Sequence, residues 1–158
     1  MKSSIILLIA LLGINQAMAG PHDWTQWRGP NQAAITEVEN LPVTWSDGEN
    51  LAWETALPGA GASQPLTKDG VIYVTSFSGY SPDGLGAGES RMIEGLKFHL
   101  TAVNAADGEI LGDVEMEPQN EMEQTARNVG HHGFATPTPL IDGDRIFVSF
   151  GTGGLWAM

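Results

Sequence analysis

One stretch of this chain repeats. Ala62–Phe77, "ASQPLTKDGVIYVTSF", lies over Thr136–Phe150, "TPTPLIDGDRIFVSF", at an offset of 74 residues. Pro65 falls on Pro139, Leu66 on Leu140, and Ile72-Tyr73-Val74 on Ile146-Phe147-Val148. The Asp-Gly turn shifts by one position, and the copies end one residue out of step. Further along, "HLTAV" (His99–Val103) resembles "GLWAM" (Gly154–Met158) at an offset of 55. The offset drops because the Ser78–Lys97 loop has no counterpart in the second copy, where Gly151-Thr152-Gly153-Gly154 takes its place. A repeat of this length is one supersecondary unit that cannot bury both its faces alone, so neighbouring copies must cover them.

The unit is built of strands. Twenty glycines and nine prolines punctuate short runs rich in β-branched and aromatic residues. No stretch beyond residue 20 holds apolar residues at i, i+3, i+4, i+7 over three turns, which argues for an all-β protein. Strands are predicted at 51–57, 63–67, 71–77, 97–104, 109–116, 134–141 (extended), 145–150 and 155–158. Lys68-Asp69-Gly70, Ala105–Gly108 and Asp142-Gly143-Asp144 read as turns, because Asp and Gly tolerate the φ values of a tight hairpin. Residues 78–94 read as a long polar loop and 117–130 as an acidic connection, in which the acidic run Glu115–Glu123 is a solvated loop with no core to join. Four short antiparallel strands per unit is the pattern of a β-propeller blade.

The first residues have a different character. Lys2 precedes an unbroken apolar run from Ile5 to Ile14, followed by Ala17-Met18-Ala19. This is the layout of a secretory signal peptide, residues 1–19, with cleavage after Ala19. The ten-residue run is shorter than the roughly 20 needed to span a bilayer, which disfavours a membrane anchor. No Cys follows the cleavage site to carry a lipid. The chain has 7 Lys and Arg against 19 Asp and Glu, a formal charge of −12. Such a field opposes nucleic acid and anionic membranes. There is no cysteine, so an exported domain must hold together by its core alone. With no N-x-[ST] acceptor either, a bacterial periplasmic or secreted protein is expected.

Four segments carry a family resemblance: "WTQWRGPN" (Trp24–Asn31), "LAWETALPG" (Leu51–Gly59), "AVNAADGEI" (Ala102–Ile110) and "FATPTPLIDGDRIFVSFGTGGLWAM" (Phe134–Met158). They resemble exported bacterial proteins of the pyrroloquinoline-quinone-like (PQQ-like) β-propeller repeat family. The family's repeat reads Ala-x-Asp-x-x-Thr-Gly with a Trp four residues on. Ala102 and Gly108 match it, and Asn104 substitutes for the Asp. Asp107 stands at the Thr position and Gly112 where the Trp belongs. The resemblance implies a Trp that docks between blades, and Trp53 looks like one. It also implies seven or eight blades. Residues 20–50 would then be an N-terminal clasp, 51–57 a closing strand, 60–116 the first blade and 134–158 an incomplete second. On that reading a C-terminal truncation is expected.

No chemistry-bearing motif stands out. "GTGG" (Gly151–Gly154) and "GLGAGES" (Gly84–Ser90) lack the G-x-x-x-x-G-K-[ST] spacing and a following helix, so neither is a phosphate loop. Asp142-Gly143-Asp144 and Asp69-Gly70 lack the spacing of a calcium loop. His131 and His132 are adjacent, point to opposite sides of an extended chain and make a poor metal pair, though either would suit a surface pocket. Trp24, Trp27 and Arg28 would form an exposed aromatic platform or pack as part of the clasp. No spacing singles out a Ser-His-Asp set, so no catalytic, cofactor-binding or metal residue is predicted.

Three functions follow as expectations. The first is an exported, non-catalytic propeller that binds an envelope protein or small ligand. The second is a quinoprotein dehydrogenase using PQQ and calcium. The third is a glycan-binding module.

Overall fold

A computed structural model describes residues 23–39, 41–46, 48–79, 95–119 and 133–158. The signal-peptide segment, most of the 78–94 loop, most of the 117–130 connection, His131 and His132 lie outside the described residues. Among the described residues seven strands form two antiparallel sheets. The first holds β1 (Leu66–Lys68), β2 (Val71–Ser78), β3 (Lys97–Asn104) and β4 (Ile110–Met116), in that order. The second holds β5 (Leu140–Asp142), β6 (Arg145–Ser149) and β7 (Leu155–Ala157), also in chain order. Among the described residues the sole helical element is one 3-10 turn, Gly151–Gly153. The protein is all-β.

The repeat is present in the strand register. Leu66 pairs with Tyr73 and Leu140 with Phe147. Thr67 pairs with Ile72 and Ile141 with Ile146; Lys68 pairs with Val71 and Asp142 with Arg145. Tyr73 then pairs with Ala102 as Phe147 pairs with Ala157, and Thr75 with Leu100 as Ser149 with Leu155. Both offsets seen in the sequence are therefore pairings in space.

The turns differ by the shifted Asp-Gly. In the first hairpin Asp69 and Gly70 both take positive φ, 51° and 78°, as a two-residue I′ turn requires. In the second the connecting residues are Gly143 and Asp144, and Gly143 has φ 57°.

Successive side chains of a strand point to opposite faces. One face of the first sheet presents Tyr73, Phe77, Phe98, Leu100 and Met116. The second sheet meets it with Ile146, Val148, Phe150 and Trp156, and Phe134 and Ala135 complete the core. Phe98 stacks on Phe150 with ring centroids 4.3 Å apart and planes 3° apart. Trp156 meets Phe150 edge-on at 5.7 Å, and Phe134 meets Phe77 at 5.3 Å.

The one-residue slip at the end of the repeat now has a physical meaning. Phe150 occupies the position of Ser76, not of Phe77. A shift of one residue moves a side chain to the other face. Phe77 and Phe150 thereby enter the same core from opposite sheets.

Other predicted elements are shorter or differently used. Of residues 63–67 and 134–141, only Leu66–Thr67 and Leu140–Ile141 lie in strands. Before β1 the chain still runs along β2: Ala60 exchanges both backbone hydrogen bonds with Phe77, and Ala62 N–H donates to Ala135 O at 3.0 Å. Gly59 and Gly61 permit that approach, since a Cβ would meet Phe77 O at 2.0 Å or Thr75 O at 2.5 Å. Residues 51–57, expected as a strand, have no strand partner among the described residues. Side chains hold them instead. Trp53 Nε1–H donates to Ala105 O at 3.1 Å and Thr55 Oγ1–H to Gly108 O at 2.6 Å.

Candidate functional site

The core-facing side of the first sheet is aromatic. Its opposite side is polar, and register explains how. Ser76 lies across from His99 and Thr101 across from Asp113, while Ser78 and Glu115 sit one alternation away on the same face. Diagonal neighbours on a twisted antiparallel pair are within reach of longer side chains. Three strands thus deliver a continuous chain of hydrogen bonds. Ser78 Oγ is 2.8 Å from His99 Nε2, His99 Nδ1 is 2.9 Å from Asp113 Oδ2, and Thr101 Oγ1–H donates to Asp113 Oδ1 at 2.7 Å.

The proton positions follow from the partners. An ionised carboxylate only accepts, so Nδ1 carries the hydrogen toward Asp113. In the neutral ring Nε2 is then an acceptor, and the Ser78 hydroxyl donates to it. His99 is 4% exposed and Thr101 fully buried, whereas Ser78 is half-buried at the last position of β2. Beside them Ser76 Oγ is buried and hydrogen-bonds to no described group. At the rim Lys97 bridges Glu115, at 3.2 Å, and Glu117. Glu117 first, then Glu115, raise the Lys97 ammonium above its ordinary 10.5.

The sequence singled out none of Ser78, His99, Thr101 or Asp113 as a site residue. Their spacings match no linear motif, because β-pairing and not sequence distance brings them together. The signal present was the alternation of Lys97, His99 and Thr101 along β3, facing Asp113 and Glu115 along β4 and Glu117 just past its end.

The residues that sequence did single out behave separately. Trp24 adds one rung beside β1, exchanging backbone hydrogen bonds with Thr67 at 2.8 and 3.0 Å. Thr25 O accepts from Ile141 N–H at 2.8 Å, so residues 23–25 tie the first strands of both sheets together. The Trp24 ring covers Gly29, where a Cβ would come within 2.9 Å of it. Trp24 is half-buried. Trp27 is 61% exposed, and the Arg28 guanidinium lies 5.4 Å from its ring centroid. Trp27 and Arg28 do make an exposed aromatic surface.

A cavity of about 280 Å³ opens between the β1–β2 and β5–β6 turns. Lys68, Asp69, Tyr73, Asp144 and Arg145 line it, and Lys68 Nζ spans it to donate to Gly143 O at 2.6 Å. Its charges are mixed, and they favour neither an anion nor a cation. No group of three or more metal-ligating side chains occurs among the described residues. Family models give no match to this chain, and curated proteins yield no significant relative.

Proposed function

We propose that the two sheets are successive blades of a PQQ-like β-propeller that binds a protein or ligand in the bacterial envelope. The observation that carries this reading is the repeat in register, stacked so that one face of each unit meets the opposite face of the next. Stacking of that kind propagates, as blades do. Trp53 also suits the reading. Its ring lies on Gly108, where a Cβ would come within 2.6 Å, in the turn that follows the family-like Ala102 and Asn104 at the end of β3. Asn104 Oδ1 accepts from Ala106 N–H at 3.0 Å, which is the job an Asp would do in the family pattern.

Envelope placement rests on the leader-like residues 1–19, and the quinoprotein alternative rests on the resemblance alone. Glycan binding has one observation in its favour, the exposed Trp27 with Arg28 against it. Flat aromatic faces of this kind offer apolar area with a polar rim.

Pulldown of the full chain from bacterial envelope extract tests the scaffold reading. One saturable protein partner, retained on Trp27→Ala and lost on substitution of the exposed Leu155 by Lys, is expected. Recovery of no saturable partner overturns it. A glycan array separates the third reading, since binding there must disappear with Trp27→Ala.

A further inference from the structure

The Ser78–His99–Asp113 chain has the connectivity that activates a serine hydroxyl. We propose that Ser78 is a nucleophile toward acyl esters, with His99 as its general base and Asp113 as the group that orients the imidazole. Such an arrangement is recognised by geometry and roles, not by sequence order. Each role is filled by a contact of ordinary hydrogen-bond length, 2.8 Å for nucleophile to base and 2.9 Å for base to carboxylate. Thr101 holds the second carboxylate oxygen, which fixes Asp113 against rotation. Thr101 is fully buried and His99 nearly so, Ser78 is half-buried at the sheet rim, and Asp113 reaches His99 from the exposed strand β4. Gly79, with φ 73°, ends the strand directly after the serine. A second observation points the same way: Ser76 Oγ on the same face is a buried hydroxyl that no described group satisfies. Buried polar atoms normally have a partner, and an orphan marks a place for one.

The step balances without a further reagent. Ser78 Oγ attacks the ester carbonyl carbon as its proton passes to His99 Nε2. The carbon–oxygen bond to the leaving group breaks, and the departing alkoxide takes that proton. Water then adds to the acyl-serine through the same base, giving a carboxylic acid and restoring Ser78.

The test uses the full chain with a fluorophosphonate probe, followed by intact mass and peptide mapping, and p-nitrophenyl acetate as a chromogenic ester. One label on Ser78 is expected, with ester turnover that the label abolishes. Ser78→Ala, at a half-buried strand end, must remove both. Asp113→Asn presents the wrong tautomer, and it should slow labelling on the order of 10³-fold or more. Circular dichroism confirms that each variant is folded. A folded parent protein that takes no label at Ser78 overturns the proposal. So does labelling at an unchanged rate in folded Asp113→Asn, because a purely structural hydrogen-bond chain leaves the serine inert or indifferent to the carboxylate.

Discussion

Asp113 satisfies two buried donors at once, His99 Nδ1–H and Thr101 Oγ1–H. Asp113→Ala orphans both, and each buried group left without a partner costs about 1–3 kcal/mol. A clear fall in the urea midpoint is expected. Ser76→Ala is the contrasting case on the same face. Its hydroxyl is buried with no described partner, so removing it should leave stability unchanged or raise it by up to about 1 kcal/mol. Lys97 gives a prediction in pH. Its carboxylate partners raise its folded pKa above the unfolded value of 10.5. The stabilisation is therefore fully present below 10.5 and is lost as pH rises through the higher folded value. The melting-temperature gap between parent and Lys97→Met should stay constant from neutral pH up to that point, then close. Added salt should also shrink it, since the pair is solvent-accessible.

Strands themselves were legible because alternation and turn chemistry act locally. Val71–Ser78 and Lys97–Asn104 match expectation to within a residue, since β-branched and aromatic residues fill them and Asp-Gly or Asn-Ala-Ala-Asp-Gly closes them. Residues 51–57 read just as well as a strand, yet hydrogen-bonding in a strand needs a second edge. Local pattern says nothing of whether an edge is there, and the segment is fixed instead by Trp53 and Thr55. The two hairpin turns allow a direct check. Gly70 has φ 78° with open space around its missing Cβ, so Gly70→Ala should cost about 1 kcal/mol from backbone strain alone. Asp69→Gly at its neighbour, φ 51°, should cost less than that or stabilise, because glycine relieves the same strain. Chemical denaturation of the two variants separates the turn's conformational demand from any side-chain contact.

On the scale of the whole molecule the repeat makes the two sheets unequal. Leu66 and Leu100 are buried at 0% and 6% exposure, and Leu100 packs in the core shared with the second sheet. Their equivalents in the second sheet, Leu140 and Leu155, are 41% and 65% exposed. Leu100→Lys should unfold the chain or destabilise it by several kcal/mol through an unpaired buried charge. Leu155→Lys, the same change at the equivalent position, should stay within about 0.5 kcal/mol, as surface substitutions do. Thermal denaturation of the pair tests whether equivalent positions in the repeat have become inequivalent in the fold.

The sequence by itself determined the all-β character, the turns and the 74-residue repeat, because each follows from residue type at short range. Tertiary structure decided what the repeat means. It set which face of each sheet is covered and turned a one-residue slip into a shared aromatic core of Phe77, Phe98 and Phe150. It also assembled Ser78, His99, Thr101 and Asp113. Those four come from three strands, and pairing register, a non-local property, is what sets their distances.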